Sequence, residues 1–138
     1  MTTAVDADAR TLELETLLAV LGRRARPGER PEEMLIDLGL VGERELAVEL
    51  SARSGLPFTG LRGVRVDAKL FMYLPFQLAQ AERCCPLSLE DEVLEVASTW
   101  LEPDLDSVRR RFPQLKIKLL IAPRSEVLQA VRASAESL

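Results

Sequence analysis

The chain contains no histidine. That removes the side chain most used as a general base near neutral pH and the commonest metal ligand. Its two cysteines are neighbours, Cys84 and Cys85, so there is no Cys-x-x-Cys redox spacing and no disulfide framework to staple a fold. They read as small apolar residues entering a strand. No apolar run approaches the roughly 20 residues needed to cross a bilayer. The first ten residues lack a basic segment followed by an apolar one, so neither a signal peptide nor membrane insertion is expected, and the expected location is cytoplasmic. A net charge of −4 argues against a nucleic-acid partner, since a phosphate-backbone binder needs a basic face. No G-x-x-x-x-G-K-S/T loop is present to cradle phosphates, and no carboxylate pair has the pattern of acid–base catalysis. The expectation is a chain that is not an enzyme, with no catalytic residue, no cofactor and no metal.

What is there is ordinary for a soluble globular protein: 138 residues, 47% hydrophobic and 29% charged. This suits one domain or two small subdomains. A helix is predicted over about 5–21, with Leu14, Leu17, Leu18 and Leu21 on one face and Gly22 as its stop. The stretch 22–30 reads as an exposed linker rich in Arg, Pro and Gly, carrying Arg23, Arg24, Arg26 and Arg30. Pro31 suits the first position of a short helix whose buried face is Met34, Leu35 and Leu38. Gly39 ends it. A second helix carries Leu46 and Leu50 one turn apart and stops at Gly55, with Pro57 preventing continuation.

From Leu56 the pattern alternates. Leu56-Pro57-Phe58 and Val64–Val66 read as extended. Ala68–Tyr73 and Phe76–Ala81 read as helical turns broken by Pro75. Cys84–Leu89 and Val93–Ser98 form a hairpin around the acidic turn Glu90-Asp91-Glu92. Asp104 is the expected N-cap of a helix with Leu105, Val108 and Phe112 inside. A strand over Lys116–Ile121 and a last helix capped by Ser125 follow. The predicted fold class is α+β: an N-terminal helical subdomain, residues 1–55, then a small mixed β-sheet with packed helices, residues 56–138.

Arg30, Leu35, Gly39, Leu46 and Leu50, followed by Gly55-Leu56-Pro57-Phe58, resemble the front repeat of type II secretion and type IV pilus assembly ATPases. Leu74-Pro75, Ala79, Pro86-Leu87, the Glu102-Pro103 turn and Ala122-Pro123 to Val131 extend the resemblance over about residues 30–138. In that family the N-terminal domain docks the motor onto a partner. The resemblance therefore implies a non-catalytic interaction or regulatory module that binds a secretion or pilus apparatus protein. In one branch, tandem copies of the repeat bind cyclic di-GMP, which makes a cyclic di-GMP sensor the alternative, with Arg30, Leu35, Gly39, Leu46 and Leu50 as nucleotide-binding candidates. This chain departs from that pattern: Pro31-Glu32 replaces the Leu-Gly after the arginine, Arg53 replaces the closing Gln, and no earlier copy is evident.

Each candidate has a plainer reading. The leucines are core of an amphipathic helix pair, and Gly39 is a helix stop. Met34 to Leu50 also has the outline of a helix-turn-helix, but its second helix presents Glu43, Glu45 and Glu49, which no DNA groove favours. Arg109, Arg110 and Arg111 are either a solvated helix face or a docking site for an acidic partner. Trp100, the only tryptophan, is either a core plug or an exposed interface anchor.

Overall fold

The computed structural model describes residues 3–136, with side chains from residue 14 onward. The chain folds as two compact units, Met1–Gly42 and Glu43–Leu138.

In the first unit α1 spans Thr3–Arg24 and α2 spans Pro31–Asp37. The helix does not stop at Gly22. A Cβ on Gly22 would stand 3.6 Å from the Pro31 ring, so this glycine sits where α1 passes close to the start of α2. α1 ends on Arg23 and Arg24, cations at the negative end of the helix dipole. The chain then turns through Gly28 at φ +90, with Glu29 N–H donating to the Arg26 carbonyl at 3.0 Å. Pro31 opens α2 as expected, and Glu32 and Glu33 fill its first turn.

The end of α2 is a Schellman motif. Gly39 N–H donates to the Ile36 carbonyl at 3.0 Å and Leu40 N–H to the Leu35 carbonyl at 3.1 Å, with Gly39 at φ +71. Leu35 is fully buried, but Leu38, expected on the buried face, is 63% exposed. It occupies the C-cap position, where the chain already leaves the helix.

The second unit begins with α3, Glu43–Ser54, whose buried face is Leu46, Ala47 and Leu50. Gly55 ends it at φ +78. Ser51 Oγ donates to the Leu56 carbonyl at 2.6 Å and Leu56 N–H to Ser54 Oγ at 3.1 Å, fixing the exit. Leu56-Pro57-Phe58 is not a full strand. Phe58 forms one parallel bridge to Ile121, held by Thr59 N–H to the Ile121 carbonyl at 2.9 Å and Ile121 N–H to the Pro57 carbonyl at 2.8 Å. Pro57 has no N–H with which to carry the ladder further. Val64–Val66 lies outside the sheet, and Val66 N–H donates to Ser134 Oγ at 2.9 Å. A 3-10 turn at Ala68–Met72, capped by Asp67, and α4, Phe76–Ala81, flank Pro75 as the pattern suggests.

The sheet has three strands in the order β1-β2-β3: Cys84–Glu90, Val93–Ser98 and Lys116–Ile121. β1 and β2 are an antiparallel hairpin with Glu90 opposite Val93 and a register shift between Pro86 and Ser88. The two turn residues, Asp91 at φ 50 and Glu92 at φ 64, both sit in the left-handed region, as a type I′ turn requires. β3 runs parallel to β2, Val93 opposite Lys116 and Ser98 opposite Ile121. A parallel neighbour needs a crossover, and α5, Asp106–Arg111, is part of it. Asp104, the expected N-cap, lies one residue early: its carboxylate accepts Asp106 N–H at 3.2 Å, and Leu105 holds the cap position.

α6, Arg124–Ala135, packs on β1, β2 and α4. Leu74, Leu94, Val96, Leu105, Val108, Val127 and Val131 make the centre of this core. Each such side chain contributes about 1.5–3 kcal/mol on burial. Among the described residues the structure is thus α+β, six α-helices with a three-stranded mixed sheet, as predicted.

Candidate functional site

The five positions of the family repeat are distributed over both units. In the first, Arg30 holds the N-cap position of α2 in an extended conformation without a side-chain cap, and its carbonyl accepts Met34 N–H at 3.1 Å. Leu35 is fully buried and Gly39 makes the Schellman turn. A Cβ on Gly39 would meet nothing within 4 Å, so its positive φ, not a close approach, is what calls for glycine there. In the second unit Leu46 and Leu50 are each 1% exposed on α3, which packs against β3 and α6. All three leucines have the burial of core residues.

A polar cluster that no sequence spacing announced ties α3 to α6. Glu126, on the first turn of α6, is 7% exposed. Its Oε1 accepts the Leu61 N–H at 2.8 Å, and its Oε2 lies 3.3 Å from Arg44 Nη1 and 3.7 Å from Arg62 Nε. Arg44 also lies over the Phe58 ring, 5.2 Å from its centroid. Beside it, the Glu43 carboxylate accepts Ser125 N–H at 3.0 Å and is bonded to the Ser125 hydroxyl. Ser125 is therefore not the cap of α6 that its position in the sequence suggests. The cap comes instead from Glu43, 82 residues away in sequence, while Pro123 occupies the N-cap position. Chemically the cluster is a staple. Its carboxylates are already engaged by N–H, hydroxyl and guanidinium groups.

The partner-binding candidates separate clearly. Trp100 is 5% exposed, and its backbone N–H and carbonyl are both held by Ser98 Oγ, at 3.1 and 2.6 Å. That is the plug, not the exposed anchor. Arg109, Arg110 and Arg111 are all exposed on the last turn of α5. Arg109 lies 3.4 Å from Asp106, and Arg111 stacks 5.5 Å over Phe112, which in turn packs 5.0 Å from Tyr73.

Burial pushes the Cys85 thiol from an ordinary 9.0 up to about 12. Cys84 is pushed further in the same direction, by burial first and then by the charges of Glu82 and Cys85. Both stay protonated, which fits packing and not nucleophilic chemistry. Among the described residues no group of three His, Cys, Asp or Glu could hold a metal ion, and no helix is long and apolar enough to cross a membrane. An open apolar groove of about 430 Å³ lies along Phe76, Arg132, Ala135 and Glu136, none of them a candidate above.

The known proteins this chain resembles agree with one another. The type IV pilus assembly ATPase PilB of Thermus thermophilus is 32% identical over 96 residues, which is 70% of this chain and 11% of that protein. The chain therefore spans about a tenth of that relative's length. The structure of MshE with cdg superposes at a TM-score of 0.64, with 23% identity over 89% of this chain and 88% of that one. The N-terminal domain of XpsE superposes at 0.60, with 25% identity over 96% and 85%. The MshEN domain family matches residues 54–137. With that match over more than half of its length, on the α+β fold of N-terminal domains of secretion and pilus ATPases, the chain belongs to the MshEN domain family.

Proposed function

We propose that the chain is a non-catalytic docking module that binds a cytoplasmic or membrane-anchored protein of a secretion or pilus apparatus. The observation that carries this reading is the family match, taken with the likeness to PilB and to the N-terminal domain of XpsE. The chain itself has no phosphate-cradling loop. Its role is then to position a motor and not to hydrolyse nucleotide. The exposed arginines of α5 supply the basic surface, and an acidic partner strip is the complement. A pull-down against the cytoplasmic part of a secretion or pilus platform protein tests it. Enrichment over an unrelated domain of similar charge supports docking, and equal recovery counts against it.

A second reading is cyclic di-GMP binding, favoured by the likeness to MshE with cdg and by the retained Arg30, Leu35, Gly39, Leu46 and Leu50. Against it stand Pro31-Glu32 and Arg53 at positions where the family repeat has Leu-Gly and Gln, and the burial of the three leucines. Calorimetric titration with the nucleotide separates the readings. Micromolar binding that is lost in Arg30→Ala would favour the sensor.

A further inference from the structure

The end of α1 and the turn that follows it concentrate positive charge. Residues 23–30 hold four arginines against one glutamate, in a chain of net charge −4. Arg23 and Arg24 end α1, where the helix dipole favours cations. Arg26 lies beyond the helix, so the dipole does not explain it. All three are exposed, and their guanidinium groups take part in none of the ion pairs among the described residues. Glu29, the only acid in that stretch, turns its carboxylate to the Arg26 backbone N–H at 2.7 Å. Directly after Arg26 the chain turns through Pro27 and Gly28, the latter at φ +90.

From this exposed charge we infer that Arg23, Arg24 and Arg26 form a docking surface for an acidic segment of a partner protein, in addition to the arginines of α5. The inference rests on the docking reading above and goes further by naming the residues in the first unit and the chemistry they meet. Guanidinium forks pair with discrete carboxylates, whereas the acidic balance of the whole chain opposes approach to an extended anionic surface such as a bilayer.

The test is surface plasmon resonance of the full chain on the purified cytoplasmic region of a secretion or pilus platform protein, at low and high salt. The variants are Arg23→Glu/Arg24→Glu/Arg26→Glu and the single Arg26→Glu, which leaves the helix end intact if the triple change unfolds α1. The expected result is a loss of about tenfold or more in the triple variant and about threefold in the single one, mostly in association rate and strongly salt-dependent. Wild-type binding that both folded variants retain overturns this inference and leaves docking standing. No wild-type binding overturns both. Binding to phosphatidylserine vesicles that disappears in the same variants overturns the assignment to an acidic protein segment.

Discussion

The buried carboxylate of Glu126 accepts the backbone N–H of Leu61 at 2.8 Å, across 65 residues of sequence. This bond, with the longer Arg62 contact to the same carboxylate, anchors the segment after α3 to the first turn of α6. Glu126→Ala leaves a buried N–H without its acceptor and is expected to cost about 1–3 kcal/mol. Glu126→Gln keeps an acceptor for Leu61 and should recover most of that loss. The ion pairs to Arg44 and Arg62 involve guanidiniums that are 54% and 83% exposed, and such pairs contribute little. Urea denaturation of the two variants reads the difference.

Glu43 and Ser125 form a cap made between helices. Glu43→Ala should destabilise the second unit by about 1 kcal/mol, the usual worth of an N-cap. Ser125→Ala removes the hydroxyl but leaves its backbone N–H bonded to Glu43. In a double-mutant cycle the pair should show coupling of about 0.5 kcal/mol or more. Strict additivity would mean that the two residues do not act on each other.

The hairpin turn places Glu92 at φ 64, a conformation that costs a side-chain-bearing residue about 1–2 kcal/mol. Glu92→Gly relieves that strain but raises the entropy of the unfolded chain, so a net gain of about 0.5 kcal/mol is expected. The midpoint of urea unfolding should rise with an unchanged slope. Gly39 gives the opposite case. Gly39→Ala should cost about 1 kcal/mol, and Gly39→Asn, which tolerates the left-handed region, less.

The buried thiols give a pH dependence of known sign. Cys85 titrates at about 12 in the folded chain against an ordinary 9.0. Above pH 9 the unfolded chain releases that proton and the folded chain keeps it, so the stability is full below 9 and falls as pH rises towards 12. The slope is about 1.4 kcal/mol per pH unit for each such thiol. Stability curves of wild type and Cys84→Ala/Cys85→Ala should converge through the alkaline range. The thiols of the native protein should also resist an aromatic disulfide reagent until urea exposes them.

Local signals in the sequence were legible because their causes are local. Gly39 and Gly55 end helices where left-handed backbone is needed, and the hairpin and the third strand follow from alternation and apolar runs. Three features depended on distant partners or on a missing donor and misled a local reading. Gly22 looks like a stop until Pro31 is seen beside it. Ser125 looks like a cap until Glu43 arrives from 82 residues away. Leu-Pro-Phe looks like a strand, yet its proline limits it to one bridge. The nucleotide candidates were legible as a repeat, and their leucines proved buried. Glu126 could not be found at all, because an acid on an amphipathic helix ordinarily faces water.

We propose that this chain docks a secretion or pilus protein through its exposed arginines and does not act alone on a small molecule. The most direct measurement is the affinity of the full chain for the cytoplasmic region of a platform protein, with and without Arg109→Glu/Arg110→Glu/Arg111→Glu. Docking through α5 predicts saturable binding that the reversal weakens by about tenfold or more and that salt screens. No saturable binding to the platform protein, together with micromolar binding of cyclic di-GMP that depends on Arg30, would contradict it.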